Sequence, residues 1–151
     1  MDKQQLISFF GHHFNHQIPF NKLLGMQVEK VEAEEVLITF NNKPELIGNT
    51  IHNILHGGVT SAVLDSAGGL VAMINAIERL EDLHLAQVQK QLKNLGTIDL
   101  RVDYLRPGRG EAFTVSAKVI RHGRKVAVTR MVMTNELGVE IAMGTGTYLV
   151  G

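Results

Sequence analysis

From Val59 to Ile77 the chain runs nineteen residues with a single charge, that of Asp65. A segment this long and this apolar reads as a helix covered on most of its circumference, since exposed apolar surface costs about 25 cal/mol per Å². Its small residues, Ala62, Ser66, Ala67, Gly68, Gly69 and Ala72, point to close packing. Glycine inside a helix costs about 1 kcal/mol relative to alanine, so two adjacent glycines predict a neighbour pressed tightly against them. The cover is expected from strands, and a strongly curved antiparallel sheet wrapped around the helix is the economical arrangement.

The rest of the pattern agrees with an α+β chain. Asp2 to His16 reads as a helix with Asp2 as N-cap, ended by Pro19. Leu23 to Glu32 and Glu35 to Phe40 read as a hairpin of two strands, and Asn41 to His56 as loop. After the long helix, Glu78 to Asn94 keeps a helical pattern with a thin apolar stripe of Leu80, Leu83, Val88 and Leu92 on a polar background. Gly96 to Tyr104, Ala112 to Arg121, Lys125 to Asn135 and Val139 to Val150 then read as four strands in an antiparallel meander. The expected organisation is one domain over residues 1–151, with an N-terminal helix at 1–18 and a helical insertion at 78–95.

Composition excludes several classes. There is no cysteine, so disulfides, thiol catalysis and thiolate metal sites are out. Fifteen basic and fifteen acidic side chains cancel, which removes any global attraction to nucleic acid or an anionic membrane. The balance is uneven along the chain, however. Residues 1–96 carry 7 basic and 10 acidic groups, and residues 97–151 carry 8 and 5. The second part therefore offers local anion contacts. The charge-poor run 47–77 is interrupted by Asn49, His52, Asn53, His56 and Asp65, so stable membrane insertion is not expected. The polar start Met1 to Ser8 has no signal-peptide pattern, and the expected compartment is the cytoplasm.

Two features could carry chemistry. Asp65 is a carboxylate in an apolar helix, and desolvation suits such a group to act as general base or nucleophile. His56-Gly57-Gly58 opens the same helix, where free backbone N–H groups and the helix dipole favour negative charge. That is the chemistry of an oxyanion hole. His12 and His16 share a helical face but have no third ligand nearby, so no metal is expected. Ser61 and Ser66 lack a nucleophile elbow.

The motif Asn49…His56-Gly57-Gly58-Val59…Leu64-Asp65, the strand Gly96 to Tyr104 running on to Pro107-Gly108, the pair Gly123-Arg124, and Gly144-Thr145-Gly146-Thr147 together resemble the hotdog-fold acyl-CoA thioesterases of the PaaI type, in particular the YigI branch. The resemblance covers roughly residues 20–150. It implies a hotdog fold and hydrolysis of medium- to long-chain acyl-CoA to fatty acid and CoA, with no cofactor. Within it, Asp65 matches the catalytic carboxylate and Gly57 the backbone donor, with Gly58 a possible second donor. His56 matches a positioning residue, and Thr97 a hydroxyl reaching the site from a neighbouring subunit. Asn49 is the candidate for the loop asparagine, although the family often has one six residues before the His, where this chain has Thr50. Arg124, with Lys125 beside it and Arg106, is the candidate for CoA phosphate contacts. An acyl tunnel between central helix and sheet and a homodimer or homotetramer are also implied. The alternatives are a hotdog enoyl-CoA hydratase or dehydratase, with a His–carboxylate dyad, and a non-catalytic acyl-CoA binding protein.

Overall fold

The apolar run forms helix α3 (Gly57–Glu78) in the structure, a computed structural model that describes residues 1–151. His56 is its N-cap, with extended backbone (φ −60°, ψ 132°) and a side chain that accepts from Gly58 N–H. Twelve of the helix's twenty-two residues are buried. By length and apolar composition α3 could cross a membrane, but here a sheet covers it.

The other elements in chain order are α1 (Lys3–His16), α2 (Pro19–Leu24), β1 (Gln27–Val31), β2 (Glu35–Asn41), β3 (Ile47–Asn49), β4 (Ile54–Leu55), α4 (Leu85–Lys93), β5 (Gly96–Tyr104), β6 (Ala112–His122), β7 (Val126–Asn135) and β8 (Glu140–Leu149). Six strands form one antiparallel sheet in the order β1-β2-β6-β7-β8-β5. Alternate side chains of β2 and β6, among them Val36, Ile38, Phe40, Phe113, Val115 and Ala117, pack onto α3 with Met131, Met133 and Ile141. Phe40 and Phe113 sit directly opposite each other and stack at 5.1 Å. This is the hotdog arrangement of a curved antiparallel sheet around a long central helix.

Several local expectations need correction. Leu23 is helical rather than the start of a strand: Pro19 does not merely end α1 but opens α2, where its fixed φ suits the first helical position. Gly25 then closes α2 in the left-handed region at φ 73°. The segment 78–94 is not one helix, since α3 stops at Glu78 and α4 starts only at Leu85. The last four strands are not a simple meander. β6, β7 and β8 are consecutive neighbours, but β5 lies beyond β8 at the sheet edge. The small β3–β4 pair falls within the stretch read as loop.

The adjacent glycines report the close approach that the sequence predicts, but only at one of the two positions. A Cβ at Gly68 would lie 2.7 Å from Thr129 Oγ1 and 2.9 Å from Met131 Sδ, and closer still to the Tyr148 hydroxyl. At Gly69 it would meet only the Tyr148 ring, at an ordinary 3.4 Å. Gly68 is therefore forced by packing and Gly69 is not. Gly68→Ala is expected to lose about 1–3 kcal/mol by overpacking, measured by urea unfolding. Adding Tyr148→Phe, which removes the nearest atom, should recover part of the loss.

Candidate active site

Asp65 lies on α3 two turns inside its N-terminus and is half-buried rather than enclosed. Two hydroxyls hold its carboxylate. Thr97 Oγ1, at the start of β5, donates to Asp65 Oδ1 at 2.9 Å. Tyr148 Oη, from β8, lies 3.2 Å from the same oxygen and 3.1 Å from the Asp65 carbonyl oxygen. Thr97 and Tyr148 are direct partners across the β5–β8 ladder, so one rung of the sheet presents both donors to one residue of the helix. Burial, reinforced by the neighbouring carboxylate, pushes the Tyr148 hydroxyl well above the usual phenol range. It thus stays protonated and donates. The Thr97 contact is made within one chain.

The carboxylate opens onto an apolar cavity of about 510 Å³. Its walls come from four helices, the turn between α1 and α2, and Thr97 of β5. Phe10, His13 and Phe14 come from α1, Ile18 and Phe20 from the turn and α2, Leu70 and Met73 from α3, and Leu92 from α4. The segment 78–95 therefore contributes to the site through Leu92 and Leu95.

The second candidate centre lies at the N-terminus of α3. Gly57, as the first helical residue, has no intrahelical acceptor for its N–H. Tyr104 Oη at the far end of β5 donates to Gly57 O at 2.7 Å and fixes this peptide. Gly58 N–H is not a second donor for a ligand, because His56 Nδ1 accepts it at 2.8 Å. That acceptor role places the proton of a neutral His56 on Nε2. Asn49 is committed elsewhere: its Oδ1 accepts from Ile51 N–H and His52 N–H, both at 3.1 Å, and closes the loop. Asn53, in the left-handed region at φ 54°, lines a separate surface cleft with Thr50, Lys43 and Glu111.

Gly57 and Asp65 are eight residues apart on one straight helix, about 12 Å along its axis. The structure does not bring them together in one chain, nor does it pair His56 with Asp65 as a dyad. The cationic candidates are also divided. Arg106 donates to Glu140 O at 2.9 Å and lines a cleft with Gly57 and Tyr104. Arg124 lies at the opposite end of β5, in a cleft with Arg79, His122 and Gln91. It is three residues before Ala127, the β7 partner of Tyr148, so roughly 10 Å beyond the rung that holds Asp65. Lys125 is its exposed neighbour. Burial and the nearby Arg79 lower the affinity of His122 for a proton.

A half-buried carboxylate clamped by two hydroxyls on a hotdog helix, with a free N–H at the helix start, defines an acyl-transfer hydrolase of the hotdog class. The family model for the thioesterase superfamily matches residues 52–142, and the chain belongs to that superfamily. It is 45% identical over 148 residues to the medium/long-chain acyl-CoA thioesterase YigI of Escherichia coli K12, covering 98% of this chain and 96% of that one. A protein of Shewanella oneidensis related to the thioesterase superfamily has a solved structure with TM-score 0.94 and 46% identity, covering 99% of this chain and 97% of that one. The PaaI protein of E. coli shares the fold at TM-score 0.77 and 17% identity, over 99% of this chain and 94% of that one.

Tyr148, Tyr104 and the α1 wall were not among the residues singled out from sequence. A hydrogen bond to a charged group is worth about 1.5–3 kcal/mol. Thr97→Val and Tyr148→Phe are each expected to lower kcat for thioester hydrolysis by roughly ten- to a hundredfold, with KM changed much less. Steady-state kinetics on folded variants checks this.

Proposed function

We propose that the protein is a cytosolic thioesterase that hydrolyses medium- to long-chain acyl-CoA, working as a symmetric dimer whose sites each combine two chains. The observation that carries the reading is the Asp65 carboxylate, held by Thr97 and Tyr148 at the mouth of an apolar cavity. The thioester carbonyl sits beside Asp65 with its acyl chain in the cavity. Asp65 acts as base toward water or as the nucleophile itself, and Gly57 N–H receives the negative charge developing on the carbonyl oxygen. The C–S bond then breaks: on the base route CoA leaves as its thiol with the proton that Asp65 took from water, and on the nucleophile route it leaves as a thiolate that solvent protonates, after which water hydrolyses the Asp65 acyl anhydride. The likeness to E. coli YigI supports CoA as the carrier and the chain-length class.

Two arguments support the dimer. One straight helix holds Gly57 and Asp65 too far apart to touch a single carbonyl. The outer edge of β5 has no partner strand, and Ile98 and Tyr104 on it are more than half exposed, at 56% and 55%. Such an edge is a template for pairing. β5 carries Thr97 beside Asp65 at one end and Tyr104 beside Gly57 at the other. Antiparallel pairing of two β5 strands about a twofold axis near the middle of the strand brings the Thr97 end of one chain beside the Tyr104 end of the other. The partner's Gly57 N–H is thereby carried toward Asp65. Arg124, with Arg79 near it, supplies positive charge beyond the same rung for CoA phosphates.

Asp65→Asn is expected to abolish thiol release from acyl-CoA while the fold survives. Gly57→Pro removes the N–H at a position where proline suits the helix start, and the extended backbone of His56 already suits a following proline. It is expected to lower kcat by about 10²–10³. Mixing the two inactive variants under exchange should restore about one quarter of wild-type activity, since half of the dimers then carry one intact site. No recovery would exclude the shared site. Arg124→Ala should raise KM for acyl-CoA more than it lowers kcat, and unchanged kinetics would remove Arg124 from the ligand.

A further inference from the structure

We infer that the cavity beside Asp65 measures the acyl chain, and that Met73, closed off by Phe10 of α1 and Leu92 of α4, sets its depth. The inference rests on the acyl-CoA reading above and adds to it the length of chain accepted and the residues that decide it.

The α3 residues lining the cavity are Asp65, Ser66, Gly69, Leu70 and Met73. Spacings of one, four, five and eight place them along one side of the helix, so the cavity follows the helix axis away from the carboxylate. Gly69 keeps that path open next to the reacting end. Packing does not demand glycine there, because a Cβ would meet the Tyr148 ring only at 3.4 Å. A helical glycine costs about 1 kcal/mol, and its place in the cavity wall accounts for it.

The far end is bounded by three partly buried side chains. Phe10, Met73 and Leu92 line the cavity and also pack against the buried cluster of Leu6, Ile77 and Val88. Beyond Met73 the space is therefore filled with side chains contributed by α1, α3 and α4. From Asp65 to Met73 is eight residues, about 12 Å along the helix, which an extended chain of roughly ten carbons spans. A longer chain has to displace this end wall. The wall depends on α1, which lies outside residues 52–142 of the family match.

The experiment is a series of acyl-CoA esters from butyryl to palmitoyl, with thiol release followed for the full-length protein and its variants. Wild-type kcat/KM should climb with chain length to roughly ten carbons and then stop rising. Met73→Ala removes three heavy atoms from the end wall, and the optimum should move up by about two to three carbons. Met73→Phe should move it down, each excluded methylene costing about tenfold or more in kcat/KM. If Met73→Phe fails to fold, Leu92→Phe on the half-buried face of α4 carries the same expectation. A wild-type optimum retained in Met73→Ala and in the folded phenylalanine variant overturns the measuring pocket and leaves the thioesterase reading standing. Absence of thiol release by the wild-type protein from every ester in the series overturns the thioesterase reading itself, and the pocket with it.

Discussion

The packing of the Tyr148 hydroxyl against α3 at Gly68 is the contact on which the site depends. It brings β8 close enough to the helix for a phenol to reach Asp65, and β5, paired with β8, brings Thr97 to the same oxygen. A larger residue at position 68 would push the sheet away from the helix and take both hydroxyls from the carboxylate. The energetic weight of the fold lies in burying α3, while the geometry of the site lies in this one close approach. Burial of a carboxylate is costly unless it is hydrogen-bonded, and the same ring that closes the core provides a bond.

A straight α-helix keeps its two ends apart. The polarising N-terminus and the carboxylate sit on one rigid element, so their spacing is fixed by helix geometry and no loop movement can close it. The arrangement makes sense when β5 is seen as an unpaired edge with one half-site at each end. Its tyrosine and threonine hydroxyls fix the start of the helix and a point two turns along it, and in the proposed dimer a twofold axis across the strand would complete both sites at once. The same logic accounts for the division of the arginines, with Arg106 at the helix start and Arg124 beyond the rung that holds Asp65.

Much of this was legible in the sequence, and what was not has a common cause. Local patterns announced themselves: the apolar run of α3 with its single charge, the alternation of the strands, and the glycines at the helix entrance. Gly68 was legible as a close approach, because glycine in a helix interior needs a reason. Its neighbour Gly69 has a different one, and adjacent letters could not separate them. The partners of Asp65 lie 32 and 83 residues away in the chain. Thr97 was reachable only through family resemblance, and Tyr148 looked like an ordinary aromatic in a terminal strand. Pro19 was read as a stop when its fixed φ serves equally as a start. Asn49 and Gly58 read as site residues, and the structure engages Asn49 Oδ1 in the loop and Gly58 N–H in the helix cap. Residue type alone cannot tell a donor that is free from one already engaged.

The N-terminal helix has a consequence for how such a chain can change over generations. α1 lines the cavity and packs against β1, and neither carboxylate clamp passes through it. A terminal segment tolerates replacement better than an internal strand, because few connections have to be preserved. On the proposed acyl reading, substitutions in the first sixteen residues would alter which thioesters fit and leave the Thr97–Tyr148 rung in place. Part of the proposed acyl pocket, the α1 wall, is thus encoded apart from the β5 and β8 residues that hold Asp65, while Met73 shares α3 with the carboxylate.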